Sequence, residues 1–309
     1  MKFFYSDIHD LALPDGHRFP GHKYGMLRQA LIDNGIIDPP MLCVSPIAPL
    51  SQIALAHDEG YIEAIETGTI DATAMRRIGF PWSNSIATRS RATVGGAVAA
   101  AKSAIEFGFS AQLAGGTHHA HRDFGSGYCV FNDFAVTALS LLQEKLVTSV
   151  AIIDLDVHQG DGNAAILRGH DDIFILSVHG AKNFPFKKYP STLDIALPDG
   201  ISDDAYLEAL TPALDRVWDF APDLILYQAG VDPLESDRLG RMNLSFDGLM
   251  ARDRLVLKGA QSRNIPVSLG IGGGYADPIE MSIEAYVNSF KVAKEIYGWA
   301  SASDMRPAQ

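Results

Sequence analysis

Cysteine is scarce. Cys43 and Cys129 are the two that the sequence holds, far apart and without a CxxC neighbour, which excludes a disulfide-stapled scaffold. Positive charge is also short: 25 Lys and Arg stand against 37 Asp and Glu, a formal net charge of −12. No basic footprint for a nucleic-acid backbone results. The acidic excess favours cationic partners, although solubility alone also accounts for it. Long hydrophobic runs are missing, since nothing approaches the ~18–20 apolar residues of a membrane span. The stretch Met1-Lys2-Phe3-Phe4-Tyr5-Ser6-Asp7 meets charge before a signal-type apolar segment forms. A cytoplasmic protein with neither membrane nor nucleic acid as partner is expected. Internal repeats, low-complexity runs and linker-like segments are absent as well, and nothing in the sequence sets an oligomeric state.

What is present is apolar. Hydrophobic residues make up 47% of 309 residues, enough to bury one large core. Residues 1–300 are expected to form a single domain, with 301–309 as a poorly ordered tail. Nearly continuous apolar runs predict strands at Met41–Val44, Ala111–Leu113, Ser149–Leu155, Ile173–Val178, Leu224–Gln228 and Ile265–Gly270, the pattern of parallel strands covered on both faces. Between them, helical patterns cover 22–34, 59–67 and 85–107, followed by Gly35, Gly68 and Gly108, each placed to cap a helix in the left-handed conformation. Further helices are expected over 132–145, 161–168 (before Gly169), the stretch after Ser202, 246–262 and 278–297, with Pro212 bending or breaking its helix. Strands alternating with helices make an α/β fold with a largely parallel sheet flanked by helices. Ligands in such sheets bind at the carboxyl ends of the strands, so the polar residues just after each apolar run carry the interest.

Four such places are chemically loaded. In Asp154-Leu155-Asp156-Val157-His158, an extended chain puts Asp154, Asp156 and His158 on one face. Buried neighbouring carboxylates need a cation or strong hydrogen bonds; the alternative is a pair of edge aspartates ahead of a helix, where Asp161 could itself be an N-cap. A second apolar run ends in Ala229-Gly230-Val231-Asp232-Pro233. Alone, Asp-Pro after a strand reads more often as a turn. Together, Asp156, His158 and Asp232 form a three-ligand set with room for water, rich enough in carboxylate that iron(II) or manganese fits beside zinc. Gly115-Gly116-Thr117-His118-His119-Ala120-His121 brings adjacent histidines that can both face a cleft only on a loop, where one could serve as general base with Asp154 or Asp161 orienting it. Metal ligation or plain solvent exposure are the other readings, and for His121 these two together are favoured over a catalytic one. Gly272-Gly273-Gly274-Tyr275 lacks the spacing of a phosphate loop. It can instead present the Tyr275 phenol to a developing oxyanion.

Taken in order, these motifs resemble the zinc-dependent histone deacetylase family. Gly-Ser-Gly-Tyr-Cys-Val-Phe-Asn-Asp at 125–133 adds to the likeness, and 234–240 together with Gly21-His22-Lys23-Tyr24-Gly25 is most similar to its class IV and bacterial branch. The resemblance implies an arginase/deacetylase-like domain in which Asp156, His158 and Asp232 hold Zn²⁺. It makes His119, supported by Asp161, the proton shuttle, pairs His118 with Asp154, and has Tyr275 polarise the scissile carbonyl. Gly127, Tyr128 and Phe186 are implied to line a tunnel for the acyl-lysine stem. Ser177 is implied to join Asp154, Asp156 and His158 in holding a structural K⁺. Gln159 stands where many relatives have a second histidine and is expected outside the ligand shell. The Gly79-Phe80-Pro81-Trp82 loop offers no acidic residue to clamp a peptide. With no GxSxG nucleophile, direct attack by water is expected. The implied substrates are acylated lysine in a peptide or protein, or a small acylated amine such as an acetylpolyamine. A ureohydrolase of the arginase or agmatinase type is a rival, but its extra metal-bridging aspartates have no counterpart around Gly230-Val231-Asp232-Pro233. A silent acyl-lysine reader is a second rival, opposed by the full catalytic set.

Overall fold

The computed structural model describes residues 1–299 apart from positions 12 and 15; the expected tail at 301–309 lies outside them. The strands are β1 (Phe3–Tyr5), β2 (Leu42–Val44), β3 (Phe109–Gln112), β4 (Val150–Asp154), β5 (Ile173–Gly180), β6 (Leu193–Leu197), β7 (Leu224–Gln228) and β8 (Val267–Gly270). The helices are α1 (Lys23–Asp33), α2 (Leu50–Ile53), α3 (Glu59–Thr67), α4 (Ala72–Ile78), α5 (Asn84–Phe107), α6 (Asp133–Gln143), α7 (Asp161–Ile166), α8 (Asp203–Phe220), α9 (Phe246–Gln261) and α10 (Ile279–Tyr297). Among the described residues, all eight strands form one sheet in the order β2-β1-β3-β8-β7-β4-β5-β6, and every pairing is parallel.

Because both faces are covered, the central strands are apolar up to their last residue: Val150, Ala151, Ile152 and Ile153 are wholly buried, as are Leu224, Ile225, Leu226 and Tyr227. Helix α5 lies over β1, β3 and β8, whereas α8 lies over β5 and β6 and packs on α9, which packs on α10. Side chains fix several helix starts: Asp71 accepts from the Thr73 and Ala74 amides before α4, and Ser83, Asn132 and Ser245 cap α5, α6 and α9. Gly68 and Gly108 end α3 and α5 in the left-handed region.

Of the bend or break expected at Pro212, the break is corrected: helix α8 runs unbroken through it. That residue sits on the solvent face, where water can take up the carbonyl that loses its amide donor. The extended segment after β4 also ends sooner than the alternation of Asp154, Asp156 and His158 predicts, with strand geometry stopping at Asp154. Beyond it, carboxylates replace the ladder: the Asp156 amide donates to Asp154 Oδ1 at 3.2 Å and the His158 amide to Asp156 Oδ1 at 3.0 Å. Such local side-chain bonds compete with strand pairing and turn the chain across the sheet edge.

Candidate active site

The middle of the sheet, β8-β7-β4-β5, delivers its carboxyl ends to one place. Asp154 closes β4, pairing with Ser177 on one side and Gln228 on the other. Past β4 and β7, Asp156, His158 and Asp232 converge, with potential ligand atoms all within 4.8 Å of one another. His158 Nδ1 lies 3.0 Å from both Asp156 Oδ1 and Asp232 Oδ2. The outer oxygens are held by backbone: Val157 donates to Asp232 Oδ1 at 2.8 Å and Gly273 to Asp156 Oδ2 at 2.7 Å. Gly273 must be glycine, because a Cβ there would overlap Asp232 Oδ2.

This trio fits a divalent cation. Both carboxylates are at most 1% exposed, and the single N–H that His158 Nδ1 can carry is shared between two buried acceptor oxygens, Asp156 Oδ1 and Asp232 Oδ2. Burial and the neighbouring Asp156 charge push the Asp232 carboxyl up to about 7, the sign of crowded negative charge that a bound cation relieves.

The histidine loop after β3 lies alongside. Asp133, at the start of α6, clamps it by accepting from the Gly116 and Thr117 amides at 2.9 and 3.0 Å. His118 Nδ1 is 2.8 Å from Asp154 Oδ2, and His119 Nδ1 is 2.7 Å from Asp161 Oδ1. Burial opposes a charge on His118, yet Asp154 and Asp156 outweigh it and raise its pKa to about 9. Burial dominates at His119, where the neighbouring His118 adds to it and the pKa falls to about 4. Adjacent imidazoles thus carry opposite protonation preferences. Despite burial, Asp161 is held well below the usual carboxylate range by its bonds to His119 and His121. As an ionised acceptor it receives the Nδ1 proton of His119, which leaves Nε2 of the neutral ring as a base.

His121 is not a solvent-facing loop residue. It is buried, with Nε2 2.9 Å from Asp161 Oδ2. The pairing was hidden in sequence because Asp161 lies forty residues away. Gln159 lies outside the trio, donating to the Tyr189 carbonyl and Asp194 Oδ1, both at 2.7 Å, and so tying the 189–194 segment to the site. The Ser177 hydroxyl bonds His179 Nδ1 at 3.0 Å.

Above the trio opens a cavity of about 520 Å³. Gly127 and Tyr128 line it, with Phe19, Phe184 and Tyr275. Gly127 has φ +53°, and a Cβ on it would stand 2.8 Å from His119 Cδ2, so only glycine leaves this wall open. Phe186 stands at the mouth, 86% exposed. The ring nearer the chemistry is Phe184, edge-on to His119 at 4.9 Å between centroids, which sequence reading passed over in favour of its neighbour. Burial keeps the Tyr275 phenol protonated, far above its ordinary pKa, so that it carries an O–H able to donate into the cavity. Its amide donates to Asp237 Oδ2 at 2.5 Å.

Beneath Tyr275 lies Lys23, 1% exposed, a residue to which sequence reading gave no role. Its Nζ sits 4.6 Å from the Tyr275 ring centroid and donates to the Gly274 carbonyl at 3.1 Å. Burial lowers its pKa to about 8, against the nearby aspartates. The signal was available: Lys23, Leu27 and Leu31 lie four residues apart on the buried stripe of α1.

The same architecture recurs among proteins of known kind. A histone deacetylase homologue solved in complex with SAHA superposes with a TM-score of 0.78 at 25% identity, covering 98% of this chain and 91% of its own. The acetylpolyamine aminohydrolase of Burkholderia pseudomallei does so at 0.76 and 21%, covering 96% and 99%, a likeness of fold. In sequence, histone deacetylase 2 of Arabidopsis thaliana is 29% identical over 289 residues, 89% of this chain and 74% of its own. An uncharacterised protein of a Picosynechococcus strain is 39% identical over 286 residues, 92% and 95%. The family model of the histone deacetylase domain matches residues 17–290, a span that contains the aspartate-histidine trio, the histidine loop and Tyr275. The chain is a hydrolase of the histone deacetylase family.

Proposed function

We propose that the protein is a zinc-dependent deacylase that removes acetyl or longer acyl groups from lysine side chains of peptides or proteins. The observation that carries this reading is the buried Asp156, His158 and Asp232 trio beside a neutral, carboxylate-oriented His119, at the floor of an aromatic-lined cavity. A divalent ion held by the trio would polarise the amide carbonyl and acidify a water molecule. His119 Nε2 takes the proton of that water as its oxygen attacks the carbonyl carbon. Asp161 keeps the ring in the needed tautomer and favours the imidazolium that forms. Tyr275 donates a hydrogen bond from its hydroxyl to the developing oxyanion while keeping its proton, and His118, paired with Asp154, supplies a supporting positive charge. His119 then returns the proton to the amine nitrogen as the C–N bond breaks, giving a carboxylate and a free lysine.

Gly127 and Tyr128 would flank the methylene stem, with Phe184 beside the amide and Phe186 at the mouth. Ser177, paired with Asp154 across the sheet, would complete a structural K⁺ site with Asp154, Asp156 and His158. Residues 1–300 would act as one catalytic domain. Acetylated polyamines offer the same stem and amide and form the second reading. The deciding assay compares catalytic efficiency of the zinc-loaded protein on acetyl-lysine peptide, long-chain acyl-lysine peptide, acetylputrescine and acetylspermidine. Preference for an acyl-lysine peptide is expected, and preference for the polyamines would replace this reading with the second.

A further inference from the structure

Floor and mouth of the cavity differ in charge. The acidic residues that line it are Asp156 and Asp232, both at the floor, whereas Arg76, Arg77, Lys182 and Arg241 line its outer part. These four come from three segments: Arg76 and Arg77 from the end of α4, Lys182 from the turn after β5 and Arg241 from the loop after β7. All are exposed. Among the described residues, counter-charges to them are few. Arg76 donates to the Thr73 hydroxyl at 2.9 Å, and the Arg77 guanidinium lies over the Phe124 ring at 4.7 Å. Lys182 and Arg241 both approach one carboxylate, Asp199, at 3.6 Å each. Arg76 and Arg77 also complement the carboxyl end of α4, but Lys182 and Arg241 occupy no helix end, so dipole compensation does not explain the ring. A chain of net charge −12 thus gathers four cations around its cavity, and it is this local field, more than the mean charge, that a substrate meets.

An acylated lysine carries no side-chain charge, so the residues flanking it set the charge presented to the mouth. A polyamine acylated at one end keeps its other amines as cations and would bring them to the same place. We infer that the basic ring selects acyl-lysine peptides with acidic flanking residues and disfavours basic tails and polyamines. This reverses the expectation of cationic partners drawn from net charge. It rests on the deacylase reading for the lysine itself, but the charge selection can be measured separately.

The test uses three labelled acetyl-lysine peptides of equal length, with acidic, neutral or basic flanks. Binding to the zinc-loaded protein is followed by fluorescence anisotropy and turnover by product release. The acidic peptide should bind about tenfold tighter than the basic one at ~0.05 M salt, converging toward parity near ~1 M, because exposed charges are screened. The difference in turnover should lie in KM, with kcat little changed. Arg76→Glu with Arg241→Glu should reverse the order, and Lys182→Glu alone should shift it part of the way. Equal binding of the three peptides, or a preference that salt does not weaken, overturns the inference. Binding in the expected order without hydrolysis of any peptide would leave the charge selection standing and remove the deacylase reading.

Discussion

His118 and His119 differ in little but their carboxylates and neighbours, yet one is pulled toward the charged form and the other toward the neutral. On the proposed mechanism, that asymmetry favours His119 as the proton carrier. His119→Ala should lower kcat the more severely of the two, with His118→Ala retaining measurable turnover; steady-state kinetics on one acetyl-lysine peptide decides it, and the reverse order would move the base to His118. Tyr275→Phe should cost roughly 10²–10³ in kcat with KM nearly unchanged, as for a donor that acts on an oxyanion. A rate within threefold of the parent would reduce Tyr275 to a packing residue. Asp232→Ala leaves Asp156 and His158 too few to close the site, and zinc content by elemental analysis should fall well below stoichiometric. Stoichiometric zinc in that variant would contradict the ligand assignment.

The elements explain why these residues meet. Arg252 on α9, wholly buried, donates to the Leu155 carbonyl at 3.2 Å and the Gly230 carbonyl at 2.6 Å, so one side chain ties together the segments that carry Asp156 and Asp232. Its partner Asp253 also accepts from Tyr227 and Ser289. Arg252→Leu should destabilise the fold by about 3–5 kcal/mol by leaving a buried carboxylate without its cation. Tm should then drop on the order of 10 °C; a loss under ~2 °C in a thermal melt would show that the ion pair is dispensable. None of this was legible in sequence, where nothing singles Arg252 out within its helix. The long elements were legible, because continuous apolar runs and glycine stops mark β4, β7, α3 and α5 within a residue or so. Strands β1 and β6 were not: three residues carry no periodicity, and Leu193-Asp194-Ile195-Ala196-Leu197 is a half-buried edge strand. The short α2 and α4 were missed for the same want of length. At the site, Asp154, Asp156, His158 and Asp232 announced themselves as acids and an imidazole at strand ends. Lys23, Phe184 and Asp237 belong to the site only through folding distance.

For the molecule as a whole, burial of imidazoles couples stability to pH. His57 is 1% exposed, accepts from the Asn132 amide at 2.8 Å, and is lowered by burial to about 4. Neutral in the fold but protonated below about 6.5 when unfolded, it contributes stability above that pH which is lost as pH falls toward 4. The loss is about 3 kcal/mol for that shift, and His179, also lowered to about 4, adds to it with the same sign. Denaturant unfolding between pH 7 and 4 should show the decline, and His57→Gln, which keeps an acceptor for Asn132, should flatten it; an unchanged slope would discharge His57 from that role. The central claim is that one divalent ion, held by Asp156, His158 and Asp232, supports hydrolysis of acyl-lysine. Its most direct test is the turnover of an acetyl-lysine peptide by chelator-stripped protein titrated with zinc. Turnover should rise linearly from baseline and stop at one equivalent per chain; turnover that persists in the stripped protein, or that needs a second equivalent, would contradict it.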